Sequence, residues 1–157
     1  MTKVAAVLVR GTIGSSAAVR TTLLRLRLLR KNTCVVLDAT PEVIGMLIRV
    51  KDYITWGEVH EKTLALLFER RGRLAGNKPV TSAYLKEHAK HADFSSLAGA
   101  LVGGKVAFKD LPGLKPYFRL QPPRMGFGYA GIKQPFTLGG ALGYRKDAIN
   151  ALLEKMM

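Results

Sequence analysis

Residues 3–56 read KVAAVLVRGTIGSSAAVRTTLLRLRLLRKNTCVVLDATPEVIGMLIRVKDYITW, and the change of hydrophobic period inside this stretch decides the fold. Val4 to Val9 is an unbroken apolar run between Lys3 and Arg10, the pattern of a buried strand. Gly11 to Gly14 turns the chain, Ser15 and Ser16 offer N-caps, and Val19, Leu23 and Leu26 follow at helical spacing. Lys31-Asn32 breaks that helix, and Thr33 to Leu37 is a second β-branched run closed by Asp38. Thr40-Pro41-Glu42 then opens another helix with a capping hydroxyl, a proline at the first helical position and an acid beside the positive end of the dipole. Its buried stripe is Val43, Leu47 and Val50, and Tyr53 to Trp56 is a third short strand. The order is β-α-β-α-β of the split βαβ kind, in which two helices on one face of three strands bury a core. The class expected is α+β.

Outward from this stretch, Glu58 to Arg71 has helical composition, with Leu64, Leu67 and Phe68 on one side and Glu58 four residues before Lys62. Thr81 to Lys90 and Phe94 to Val102 are shorter helices, the second capped by Asp93 and stopped by Gly103-Gly104. Arg145 to Met156 is a last helix, with Ile149, Leu152 and Leu153 as its apolar face. Between them, residues 103–144 are rich in Gly and Pro, with cations and aromatics interspersed, which predicts little regular structure. The organisation expected is a core over 1–57 followed by an extension over 58–157. No internal repeat is visible.

The chain has 157 residues, within the range of one compact domain, and 48% of them are hydrophobic. Its 25 Lys and Arg oppose only 11 Asp and Glu, a net charge of +14 that calls for a polyanionic partner. Membrane insertion is not expected, because the longest charge-free stretches, 94–104 and 134–144, are half the roughly 20 apolar residues a span needs. The apolar run before Arg10 is also shorter than a secretory segment. Cys34 is the single cysteine, so neither an intrachain disulfide nor a cysteine-rich zinc site can form.

Two features point to phosphate. Gly11-Thr12-Ile13-Gly14-Ser15 joins a strand to a helix, where backbone N–H groups and the helix dipole can hold an anion; a plain tight turn is the other reading. Arg10 and Arg20 flank it. Arg25, Arg27, Arg30 and Lys31 then crowd the end of the first helix, with only Asp38 and Glu42 as acids within twenty residues. Further on, Phe118-Arg119-Leu120-Gln121-Pro122-Pro123-Arg124-Met125-Gly126-Phe127-Gly128-Tyr129 alternates cations with aromatics in extended chain, suited to an RNA groove on one side and its own domain on the other. Groups for catalysis are poor. His88 and His91 lie three apart without a third ligand or a glutamate base, Cys34 falls inside a strand, and no Gly-x-Ser-x-Gly elbow exists.

Leu8 to Gly14, Arg20-Thr21-Thr22-Leu23, Leu26-Arg27-Leu28 and Thr40 to Leu47 with Val50-Lys51 resemble the core of the large-subunit ribosomal protein L-thirty family. Gly113-Leu114-Lys115-Pro116, Phe118 to Gly126 and Gly139 to Arg145 resemble the added half of its archaeal and eukaryotic branch, and the lack of a long basic N-terminal extension matches the archaeal form. The resemblance implies a ferredoxin-like β-α-β-α-β core seated on 23S rRNA near the 5S rRNA, beside neighbouring ribosomal proteins, in the cytoplasm. It implies neither an enzyme nor a cofactor, metal or small-molecule substrate. The rRNA contacts it implies are Arg10, Gly14, Arg20, Arg27, Arg30 and Lys31 in the core and Lys115, Arg119, Arg124, Lys133 and Arg145 in the extension. Gln121 and Met125 stand where the family often carries a basic residue or His, so no phosphate contact is expected there. Two rival readings are an RNA-modifying or nucleotide-binding enzyme using the Gly11 to Ser15 turn, and a free RNA chaperone.

Overall fold

The computed structural model describes residues 2–86 and 93–157. The core runs β1 (Lys3–Leu8), α1 (Ala17–Arg25), β2 (Thr33–Asp38), α2 (Pro41–Arg49) and β3 (Ile54–Glu58). β1 lies between β2 and β3 and is antiparallel to both, with Ala5 opposite Val36 on one side and Gly57 on the other. The outer two strands are therefore parallel to each other, and β2, α2 and β3 form a βαβ unit split by β1. The caps are those expected: Ser16 Oγ accepts from the Val19 N–H, and Thr40 Oγ1 accepts from the Val43 N–H. The fold is α+β with a ferredoxin-like core.

The unbroken apolar run of β1 has a direct cause, because both faces of the sheet are covered. Val4, Ala6, Leu8, Val35, Ile54 and Trp56 pack against Leu23 and Leu26 of the α1 end and Leu47 of α2. Ala5, Val7, Cys34 and Val36 pack on the opposite side against α3 (Glu61–Arg71), α5 (Phe94–Val102) and α6 (Ala148–Met156). A short helix, α4 (Ser82–Tyr84), precedes α5, and Thr81 Oγ1 accepts from the Tyr84 N–H. The second half of the helix expected over 81–90, with His88 and His91, lies outside the described residues.

The extension also adds strands at both edges. β4 (Phe118–Arg119) pairs antiparallel with β2, and β5 (Gly143–Tyr144) pairs parallel with β3, giving the order β4-β2-β1-β3-β5. The segment expected to be irregular thus closes the sheet with two short strands, the rest being turns. Two boundaries differ from the sequence expectation. β3 continues through Glu58, which pairs with Val4, so helix α3 starts at Glu61 and the expected Glu58–Lys62 helical pair does not form. α6 begins at Ala148, because the Arg145 N–H bonds to the Trp56 carbonyl and holds the chain beside β3.

Asn150 clamps these parts together: its Oδ1 accepts from the His60 N–H at 2.9 Å and its Nδ2 donates to the Glu58 carbonyl at 2.9 Å. Gly57 is required at this crossing, since a Cβ there would sit 2.1 Å from the Lys146 carbonyl oxygen. Cys34 is fully buried, and desolvation raises its thiol to about 12, so it is a packing residue without a thiolate. Among the described residues, no group of His, Cys, Asp and Glu is placed to hold a metal ion, and no helix is long and apolar enough to cross a membrane.

Candidate nucleic-acid interface

The C-terminal end of β1 and the N-terminal ends of β2 and β3 meet at one end of the sheet, and the turn after β1 lies there. The N–H groups of Val9 and Arg10 both donate to the Tyr53 carbonyl at 3.0 Å. Gly14 takes φ +76, which lets the chain reverse into α1. The Ser15 N–H and Oγ both donate to the Thr12 carbonyl, at 3.1 and 2.6 Å, so the turn closes on itself and occupies donors that a triphosphate would need. Around it, Arg20 Nε donates to the Ser15 carbonyl at 3.1 Å, and Arg10 lies 5.4 Å from the Tyr53 ring centroid while donating to the Asp52 carbonyl. Lys31 crosses from the other side: its Cε is 3.1 Å from where a Cβ on Gly11 would stand. Arg10, Gly14, Arg20 and Lys31 are therefore one group around one turn.

At the end of α1 the Leu28 N–H bonds to the Leu23 carbonyl and the Arg27 N–H to the Leu24 carbonyl, a Schellman closure. Its left-handed position is held by Arg27, φ 60, where glycine is the unstrained choice. Arg27 and Arg30 are both exposed. Keeping an arginine at a strained position makes sense if its charge is used. Arg27→Gly should stabilise the free protein by about 1 kcal/mol while lowering the salt dependence of RNA binding by about one ion. Urea unfolding and a salt titration check the two halves, and an unchanged salt dependence would remove Arg27 from the interface.

Three hollows run across this surface with shared walls. The first, about 300 Å³, is lined by Thr12, Arg20, Leu24 and Leu29 among others. The second, about 370 Å³, lies between Leu29, Arg27, Arg30, Thr33, Tyr117 and Arg119. The third, about 210 Å³, lies between Tyr117, Arg119, Lys115, Arg71, Arg73 and Asn77. Among the described residues, no Asp or Glu lines any of them. Arg119 reaches this place because β4 pairs it with Thr33 while its neighbour Phe118 is fully buried. Arg71 and Arg73 escaped the sequence reading. Their signal was Arg70-Arg71-Gly72-Arg73 at a helix end, a crowding of cations like that at 25–31.

The remaining expected contacts are dispersed. Arg124 is exposed, with its N–H donated to the Lys155 carbonyl at 3.0 Å, beside Met125 at φ 65. Lys133 is exposed in a loop and is not tied to the others. Arg145 departs from expectation, since it is only 5% exposed. Its Nε donates to Thr55 Oγ1 at 2.7 Å, its Nη2 to the Ala141 carbonyl at 2.9 Å, and its guanidinium lies 4.5 Å from the Phe136 ring centroid. Burial pulls this guanidinium down to about 10, still charged at neutral pH. With these hydrogen bonds made inside, Arg145 fastens the 135–145 segment to β3. Next to it, the Tyr144 hydroxyl donates to Glu58, a bond that with burial pushes the phenol up to about 12.

Comparison with known proteins matches this architecture. The family model described as ribosomal protein L30p/L7e matches residues 4–54, the span from β1 to the start of β3. The large ribosomal subunit protein uL30 of Methanopyrus kandleri is 48% identical over 148 residues, covering 94% of this chain and 99% of that protein. The protein of the same name from Methanocorpusculum labreanum is 45% identical, covering 97% and 98%, and that of Nanoarchaeum equitans is 48% identical, covering 92% of each. The extension beyond residue 54, with its edge strands and Arg119, is thus aligned with these archaeal relatives along with the core. At that identity over nearly the full length of both chains, this protein belongs to the ribosomal protein L30p/L7e family.

Proposed function

We propose that this chain is a structural constituent of the large ribosomal subunit that binds folded 23S rRNA close to the 5S rRNA, in the cytoplasm, beside neighbouring ribosomal proteins. The observation that carries the RNA reading is the track of hollows from the Gly11–Ser15 turn through Arg27, Arg30 and Arg119 to Lys115, Arg71 and Arg73, without Asp or Glu among the described lining residues. Cations along it replace counterions on rRNA phosphates, and the folded sheet fixes where those cations sit. The core over 1–57 supplies the turn and the end of α1, and the extension over 58–157 supplies the far wall. No turnover is involved. The self-closed turn at Ser15 weakens the nucleotide-binding alternative.

Arg119→Ala combined with Arg124→Ala tests this reading. Both residues are exposed, so the pair should change unfolding free energy by less than about 1 kcal/mol while lowering the salt dependence of rRNA binding by about two ions. The variant should be lost from large subunits in a moderate-salt wash that retains the parent. In cells, crosslinking followed by sequencing of the attached RNA should place reads on one patch of 23S rRNA. Reads scattered over many messenger RNAs would favour a free chaperone.

A further inference from the structure

The two hollows that share Tyr117 and Arg119 differ in character. The one beside Leu29 is walled mainly by apolar surface, whereas the one beside Lys115 is walled mainly by polar surface. In an A-form duplex the bases are stacked inward and the phosphates form a ridge, so a recess of base size is reached only by a base that has left the stack. At about 370 Å³ the apolar hollow falls within the range of roughly 300–1,000 Å³ typical of small-ligand pockets. The polar hollow, at about 210 Å³, is smaller than that range, and Arg71, Arg73, Lys115 and Arg119 stand around it.

Resting on the RNA reading above, we infer that this pair of hollows holds one unpaired ribonucleotide of a bulge or loop. Its base lies against Tyr117 and Leu29, and its phosphate lies among Arg71, Arg73 and Lys115. The walls are set in advance. Tyr117 is half-buried and packs from behind on the sheet face covered by α1 and α2. Arg71 Nη2 donates to the main-chain oxygen of Met157 at 2.6 Å, and the Lys115 N–H donates to the Arg73 carbonyl at 2.9 Å. A preset wall loses little entropy when a nucleotide enters, so stacking and charge contacts appear in the affinity.

The intact protein is titrated with a short single-stranded RNA of mixed sequence and with the same strand annealed to its complement. The single strand should bind about tenfold more tightly than the duplex, given the affinity that stacking of a base on an aromatic ring supplies. Tyr117→Leu, which keeps most of the packing volume, should lose about tenfold for the single strand with its salt dependence unchanged, and Tyr117→Phe should restore it. Arg73→Ala with Lys115→Ala should instead lower the single-strand salt slope by about 1.4. Equal affinity for both RNAs, or an unaltered affinity in a folded Tyr117→Leu protein, would overturn the assignment of the hollows. Binding to neither short RNA while folded large-subunit rRNA is bound would also overturn the assignment of the hollows, whereas failure to bind folded large-subunit rRNA would overturn the RNA reading itself, so the two failures are distinguishable.

Discussion

Phe68→Ala should cost about 3–5 kcal/mol of unfolding free energy, a large part of the roughly 5–15 kcal/mol that holds a domain of this size together. Phe68 lies on α3, has no exposed surface, and faces Phe118 edge-on at 5.4 Å and Phe108 in a stack at 5.7 Å. Truncation there opens a void where α3, β4 and the 108–110 turn converge, and no one neighbour can collapse into it. Phe68→Leu fills much of the void and should cost markedly less. Urea unfolding gives both values, and a loss below about 1 kcal/mol for the alanine variant would show that this side of the sheet repacks freely. The effect also bears on function, because Phe118 and Arg119 are adjacent on β4. The buried ring sets the strand that carries the exposed cation.

Arg145→Met should be the next most damaging change, at about 2–3 kcal/mol. It removes hydrogen bonds from a charged donor to Thr55 and Ala141, and it leaves the Ala141 carbonyl without that partner inside the fold. The buried guanidinium carries its own desolvation cost, visible in its lowered pKa of about 10, and this offsets part of the loss when the charge is removed. Arg145→Lys should not rescue the protein, since an ammonium lacks the planar fork that reaches both oxygens. Hydrogen exchange should quicken first across residues 135–145. RNA binding separates the two roles this residue could have: a phosphate contact would lose about one ion of salt dependence on substitution with stability intact, and a pin does the reverse. A variant as stable as the parent with a weaker salt dependence would return Arg145 to the interface.

The β-α-β-α-β order was legible because each element has a local signature. The run at Val4–Val9, the cap at Ser16 and the Thr40-Pro41-Glu42 start each depend on neighbours a few residues away. The ends of β3 and α6 were misread for the opposite reason. Glu58 is strand because Val4 pairs with it, and Arg145 is extended because Trp56 holds its N–H; both partners are distant in sequence. Among the candidate site residues, the grouping of cations around the first turn and the end of α1 was legible from their nearness in sequence. The crowding of Arg71 and Arg73 beside Lys115, and the burial of Arg145, were not legible, because composition counts charges without saying which face of the fold they reach.

By itself the sequence determined the class of fold, the strand and helix order of the core and the demand for a polyanionic partner. These follow from periodicity, capping and net charge, which are local or additive properties. Only the tertiary structure decided that β1 lies at the centre with both faces covered, and that the Gly/Pro-rich extension supplies two edge strands. It alone brought Arg119, Lys115, Arg71 and Arg73 to the side of Arg27 and Arg30. Such placement depends on which strand pairs with which, an outcome of packing between residues far apart in the chain, and the same packing turned Arg145 from a surface charge into a buried fastening.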